Sequence, residues 1–363
     1  MPITPLARGV IELDRSPALE NARQLLRRAE AEIALIDRVQ PVNAATEREA
    51  LIAAFGAGRP RAARFEYRVR PSFRLLRAEL SGLAERLPAL GPLGALYAER
   101  AAELESEACA AEHVGGDEFA EHAARRYPLE AGSDTEAADA LAAQWIQEGD
   151  RRSSTLHRSC DRGDPESLFS ALERATEGLP VRVEVRPNQA AAATVGEGFI
   201  GIRPGLWHTA REVLRIVLHE VEGHARPRVL AQREALGLLR VGSARASDDE
   251  EGRALLLERR AGVLEGARRR ELARRHIAAR NVRLGASFVG TVRELLGLGQ
   301  DIASAVEAAC RAYRGGGLGR ELVYLVALSR VAQAFETEPE LEAWFERGRV
   351  SVQAARACAA GLG

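Results

Sequence analysis

His219, Glu220 and His224 are the residues in this 363-residue chain whose types and spacing most clearly could do chemistry. Two imidazoles with a carboxylate beside the first make the set a zinc hydrolase uses. Neutral His nitrogens suit a borderline-soft cation, and the Glu can take a proton from water held on the metal. The common metallopeptidase pattern, H-E-x-x-H, places its rings at i and i+4 on one helix face. Here the rings stand at i and i+5. Five steps of about 100° leave them about 140° apart on a regular α-helix, too divergent to share one ion. The helix must therefore carry an extra residue, and a one-residue π-bulge between Leu218 and His224 is expected. Gly223 is the residue that would tolerate that distortion most easily. The plainer alternative is two unrelated histidines on an amphipathic helix. With 7 His and 41 Glu in the chain, H-E-x-x-x-H arises by chance in roughly one or two such sequences per hundred, so the motif needs company.

A catalytic zinc also needs a third protein ligand and an open position. The next polar run is Ser247, Asp248, Asp249, Glu250, Glu251, Gly252 and Arg253. Ser247 and Glu250 have capping-box spacing, which predicts a helix start there with Glu251 inside it. On the residues alone two readings of the acids stand: they complement the helix dipole, or Glu251 is the third ligand.

The elements that must position these residues follow from pattern. Thr209 and Glu212 form a capping box that starts the motif helix, and Val213, Ile216 and Val217 give it an apolar face. Before it, Val181, Val183 and Val185 alternate with charged residues as a strand. Two more extended segments, 193–195 and 199–203, end at Pro204 and Gly205. The region from about Ser16 to Glu177 reads as mostly helical, and so does nearly everything after Thr209. The fold class expected is mainly α with a small antiparallel β-sheet (α+β). The expected organisation is a helical N-terminal region at 1–178, a core at 179–335 and a helical tail at 336–363. The Arg-rich stretch from Arg259 to Arg280 carries interleaved Glu258, Glu265 and Glu271, and reads as a solvated helix face.

Composition excludes several classes. Hydrophobic residues make up 46% and charged residues 28%, which rules out a disordered or fibrous chain. The 51 basic residues are all arginine, a bias that reads as GC-rich bacterial coding. A net charge of -1 argues against a nucleic-acid partner. Cys109, Cys160, Cys310 and Cys358 lie far apart, with no CxxC pair, and predict neither a disulfide framework nor a thiolate zinc site. Met1 to Arg15 lacks a signal-peptide core, and no apolar run approaches a membrane span. The expectation is a soluble, cytoplasmic protein without a membrane partner.

The pairing of the 219–224 motif with Glu250, Glu251, Gly252, Arg253 and Ala254 resembles the bacterial QEGLA-motif proteins. That family shares a domain with the microtubule-associated tyrosine carboxypeptidases, and its pattern is H-E-x-x-x-H followed by Q-E-G-L-A. Pro41, Asn43 and Glu47 resemble its early P-x-N-x-x-x-E segment. Arg311, Arg314, Gly315 and Gly316 resemble its R-x-x-R-G-G segment, and Arg320, Glu321, Tyr324 and Leu325 its K-D-x-x-Y-L segment. The resemblance covers about residues 25–330. It implies one Zn2+ held by His219, His224 and Glu251, with Glu220 as general base and acid, in a gluzincin-like metallopeptidase core. It further implies removal of a C-terminal residue, tyrosine in members of known activity, from a peptide or protein. Arg311, Arg314, Arg320 and Tyr324 would face the substrate. Glu250, Arg253 and Arg320 replace the family's Gln, Leu and Lys, with Arg253 expected to add charge close to the metal. The short segment from Gly317 to Arg320 lacks an aromatic, which predicts a departing side-chain pocket.

The pair H-E-x-x-G-H and E-E-x-R-A of dipeptidyl-peptidase III is similar too, although that family is about twice as long. Two other readings therefore stand beside the carboxypeptidase: a zinc amino- or dipeptidyl peptidase, and a non-catalytic metal-binding regulator. Among the remaining residues, Arg311 and Arg314 read either as a carboxylate clamp or as a surface pair. His208 reads as a packing or capping residue and His276 as solvent-facing. His113, His122 and His157 read as lacking companions at ligand spacing.

Overall fold

The computed structural model of the chain describes residues 8–149, 155–187, 189 and 191–362, so half of the Met1–Arg15 reading lies outside the described residues. The architecture is mainly helical with two small sheets, as expected for the α+β class. Helix Pro17–Ile33 shows the local logic. Ser16 caps it, Pro17 opens it, and Leu19, Ala22, Leu26, Ala29 and Ile33 form the buried stripe. That stripe packs on the long helix Gly91–Glu112. One continuous apolar cluster runs from Leu26, Leu80, Leu104 and Phe119 to Leu239, Leu255, Leu328 and Trp344. The early helices therefore share a core with those that carry the motifs. No helix among the described residues is long and apolar enough to cross a membrane.

The first region is not helical throughout. Residues 57–73 form an extended strap without helix or strand. Glu47 holds it with both carboxylate oxygens on Arg61, at 2.5 and 2.9 Å, and accepts the Arg64 amide at 2.6 Å. Asn43 bonds the Arg64 carbonyl and the Glu66 amide. The P-x-N-x-x-x-E residues are thus the clamp of this strap. Side-chain clamping of an extended segment has no periodicity, which is why pattern reading runs through it as helix.

The three-stranded sheet is mixed rather than antiparallel. Strand Phe199–Ile202 lies in the centre, antiparallel to Ala193–Gly196 and parallel to Arg182–Val185. The tight turn at Glu197 and Gly198, with Gly198 at φ +72°, folds 193–202 into a hairpin whose second strand slots beside the first strand. A two-residue antiparallel bridge joins His157–Arg158 to Trp207–His208. Ile200 and Ile202 pack with Leu168, Phe169, Val213, Ile216 and Val221 in a separate apolar cluster. The sheet is the platform on which the motif helix lies.

Two further expectations need correction. Helix Ala246–Arg260 starts at Ala246, one residue before Ser247, without a side-chain cap. Arg245 precedes it in the left-handed region at φ +60°, its amide bound to Glu103. Glu250 forms no capping box, because Arg228 and Arg349 claim its carboxylate. The Arg-rich stretch is not a solvated face either. Helix Gly266–Arg283 is enclosed by helices Ser133–Trp145, Ile302–Gly317 and Leu322–Thr337. Arg275 and His276 are buried, and His276 Nε2 lies 2.8 Å from Asp139 Oδ1. Interleaved acids mark ion pairing equally well when a face is buried.

Two glycines set the helix spacing at the motifs. A Cβ on Gly252 would overlap the Ala327 carbonyl oxygen, and one on Gly223 would lie 2.7 Å from the Ala254 Cβ. Gly223→Ala and Gly252→Ala are each expected to destabilise by about 1–3 kcal/mol through overpacking. Gly297→Ala, at a helical site with nothing within 4 Å of the new Cβ, should be neutral or stabilise by up to ~1 kcal/mol. Urea midpoints of the three variants check this ordering.

Candidate metal centre

Helix Ala210–Val217 begins on the expected capping box, with Thr209 and Glu212 each bonding the other's backbone amide. It then winds into a π-helix over Leu218–Ala225 and returns to α-helix at Arg226–Ala231. The Arg226 amide donates to the Val221 carbonyl, an i to i+5 bond. The distortion demanded by the His spacing is present, and it spans eight residues rather than one. The wider turn brings both imidazoles to one side, with ring centroids 5.1 Å apart. Gly223 serves here as the flat surface against Ala254; its backbone is helical, so conformational freedom is not its role. Arg253 stabilises the wide turn from the neighbouring helix. Its Nη1 donates to the Glu222 carbonyl at 2.6 Å and lies 3.3 Å from that of Gly223. Arg253 therefore places a single donor, Nη1, on the π-helix backbone.

Glu251 faces the two rings. Its Oε2 lies 3.3 Å from His219 Nε2 and 3.8 Å from His224 Nε2. One atom from each of the three residues falls within 4.8 Å of the others. Ligands at about 2.0–2.2 Å from a tetrahedral zinc stand about 3.3–3.6 Å apart, which these separations approach. Glu251 Oε2 is buried and has no hydrogen-bond partner among the described residues. A buried oxygen without a partner is costly unless a cation or a donor meets it. The donor set and this orphaned oxygen fit a zinc ion.

A carboxylate behind the His219 ring orients it. Glu258 is fully buried, and its Oε1 accepts from His219 Nδ1 at 2.8 Å, which turns Nε2 toward Glu251. Glu250 sits near His224 Nδ1 at 3.8 Å, beyond hydrogen-bond reach. Burial disfavours charge on His219, but Glu251 and Glu258 outweigh it and push its pKa up to about 10. Burial raises the Glu251 pKa too, yet His219, His224 and Arg320 together hold it well below the usual carboxylate range. Glu220 is half-buried and makes no ion pair or hydrogen bond to another described residue, so its carboxylate is uncommitted.

The four substrate-side residues divide. Arg320 reaches the centre, with Nη2 on Glu251 Oε1 at 3.1 Å and Nη1 on the Tyr324 hydroxyl at 3.1 Å. Burial raises the Tyr324 pKa, but Arg320, Arg275 and Arg311 together bring it below its ordinary value. Arg314 and Arg311 instead turn to buried Glu321, at 3.2 and 3.6 Å. They are no surface pair. Arg275, read from sequence as solvated, lies with its guanidinium 4.3 Å from the Tyr324 ring centre.

Elsewhere, His208 is buried in the two-residue bridge, as a packing residue should be. His113 and His122 do have a companion: with Cys109 they form a second group of potential ligands, which corrects the sequence reading. Sequence reasoning also missed Glu258 and Arg275, and it read Arg253 as charge close to the metal rather than as a support of the π-helix backbone. For Glu258 a signal existed: it stands seven residues after Glu251, two helical turns along the same face. For Arg275 nothing in the pattern singled it out.

A sequence model of the microtubule-associated tyrosine carboxypeptidases matches residues 55–359. The chain belongs to that family, and its class is that of carboxypeptidase-type peptidases. The match begins after the Pro41–Glu47 segment and runs on through the C-terminal helices. Comparison with curated proteins yields no match.

Two outcomes test the centre. Glu258→Gln should keep the fold and weaken zinc binding by about 10–100-fold, as loss of a ligand's orienting partner does. With its pKa at about 10, His219 carries a proton at neutral pH, so zinc should displace about one proton. Calorimetry in buffers of different ionisation enthalpy measures that release, and a buffer-independent heat would contradict it.

Proposed function

We propose that the chain is a zinc-dependent metallocarboxypeptidase with a gluzincin-type core, removing a single residue from the C-terminus of a peptide or protein. The observation that carries this is the convergence of His219, His224 and the unpartnered Glu251 oxygen. Three protein ligands leave a position for substrate and water, whereas a structural zinc site is closed by four. Family membership supports the peptidase class.

When bound, zinc supplies Lewis acidity to the scissile carbonyl and lowers the pKa of water. Glu220, uncommitted and beside His219, takes the proton of the attacking water and returns it to the leaving amine. His219 and His224 are held by the π-helix, and Glu251 is steadied by Arg320 through its second oxygen. The Tyr324 hydroxyl donates toward developing negative charge. Its neighbouring guanidiniums make that donation easier, as its lowered pKa reflects.

Recognition of the substrate's free carboxylate falls to arginine. Arg275 Nη2 and Arg311 Nε are buried donors without a hydrogen-bond partner among the described residues. They belong to the cluster around Tyr324, where a planar fork suits a carboxylate. Arg314, turned to Glu321, takes the part of a positioning residue.

Glu220→Gln should keep stoichiometric zinc and lose hydrolysis. One peptide offered free, N-acetylated and C-amidated should lose a residue in the first two forms only. Cleavage of the amidated form, or a need for a free N-terminus, would replace this reading with an endo-, amino- or dipeptidyl peptidase. Hydrolysis by Glu220→Gln at the wild-type rate would remove Glu220 from the chemistry.

A further inference from the structure

Cys109 lies in the last turn of helix Gly91–Glu112, and His113 follows that helix directly. The spacing of four residues puts both on one face. His122 reaches them from helix Phe119–Arg126 across the short corner 114–118. Cys109 Sγ lies 3.3 Å from His122 Nδ1, and the two imidazole centroids are 4.3 Å apart. His113 Nδ1 lies 2.7 Å from the Cys109 carbonyl, so it carries the hydrogen and Nε2 is the free ligand atom. That Nε2 lies 3.1 Å from Glu118 Oε2. One ligand atom from each of Cys109, His113 and His122 falls within 4.8 Å of the others.

We propose that this corner is a second metal site, of zinc type, held by Cys109, His113 and His122. Sulfur and nitrogen ligands of a tetrahedral zinc stand about 3.5 Å apart, close to the Cys109–His122 separation. Thiolate plus imidazole selects zinc over calcium or magnesium. The thiolate offsets one of the two charges of the ion, and the proton of the Cys109 thiol leaves to solvent on binding. Its thiolate sets it apart from the His219 centre, which offers only nitrogen and oxygen ligands.

The site has something to hold. The Gly115 amide donates to the Gly315 carbonyl at 2.6 Å. Phe119 packs so tightly on Gly315 that a Cβ there would lie 2.5 Å from its ring. Arg126, on the same short helix as His122, grips Asp248 with both Nη atoms at 2.9 and 3.1 Å. An ion at this corner pins the loop that supports the glycine turn and the acid helix, without sharing a ligand with the His219 centre.

The test uses the full chain reconstituted with Co2+. A thiolate ligand gives an intense sulfur-to-cobalt charge-transfer band in the near ultraviolet, which the sulfur-free His219 centre cannot give. Wild type should bind two equivalents and show the band. Cys109→Ser should bind one and lose it, while His219→Ala should bind one and keep it. His122→Gln, at a half-buried position, should also bind one and lose or shift the band with unchanged far-ultraviolet circular dichroism, should Cys109→Ser fold poorly. One equivalent with the band in wild type would support this site and sink the catalytic one. No band in wild type, or a band that survives Cys109→Ser, would overturn the proposal.

Discussion

Two imidazoles five residues apart can share an ion only on a helix wound wider than an α-helix, and the packing around the centre answers that constraint. A π-helix changes which carbonyls find amides within the helix, so the segment needs support from outside. Arg253 supplies it by bonding the Glu222 and Gly223 carbonyls. That reach is possible only because the two helices approach through Gly223 and Ala254. The acid helix is itself held close to helix Leu322–Thr337 through Gly252. Glu251, just before the residues that fix the spacing and held by Arg320, points at the rings. Ligand geometry here follows from helix contacts.

The run of four acids before this contact is resolved by five arginines, with no partner shared between two acids. Asp248 pairs with Arg126 and Asp249 with Arg330. Glu250 meets Arg228 and Arg349, and Glu251 meets Arg320. All four acids are largely shielded from water, so each is stabilised by charge pairing rather than by hydration. Buried pairs of this kind repay desolvation only when geometry is good, and removing one partner leaves an uncompensated charge. They therefore act as registry pins. Consecutive residues on a helix point about 100° apart, so four consecutive acids each with its own fixed partners define the rotation of the helix about its axis. The dipole reading of these acids is too weak to account for the arrangement: it needs only proximity to the N-terminus.

Much of the centre is legible in the sequence because its constraints are local. The capping box at Thr209 and Glu212, the His spacing and the small strands all write themselves into a few adjacent residues. The i, i+5 spacing by itself requires the helix distortion. What is illegible involves long-range choice. Arg275 and His276 have the same neighbours in sequence whether their face is solvated or buried. Only the enclosing helices decide. Arg253 reads as a charge near the metal until its partner carbonyls are known. Cys109 and His113 stand one helical turn apart, which the sequence does show. Their third neighbour, His122, lies past a glycine corner, and widely separated cysteines carry no signal of it. Mixed sheet order is hidden because strand direction depends on where a hairpin docks, not on its own residues.

The family segments, scattered through the sequence, are one connected framework in space. Pro41, Asn43 and Glu47 lead into the clamp on the strap, and the strap's Tyr67 hydroxyl accepts the Gly315 amide at 2.7 Å. Arg314, beside that glycine, donates to Glu321 at 3.2 Å. Glu321 adjoins Arg320, whose fork spans Glu251 and the Tyr324 hydroxyl. Each link is a directional bond to a fixed acceptor. A Lys at 320, the family's residue, would be a compact point charge and could not present two planar donors with fixed relative direction. The Arg in this chain orients the ligand carboxylate and the phenol at once. Its fork couples the position of Tyr324 to that of Glu251, so substrate-side and metal-side groups are set by one side chain. This is why the departures at 253 and 320 belong together. Arg253 fixes the π-helix backbone through Nη1, and Arg320 fixes the facing acid and Tyr324 through both Nη atoms.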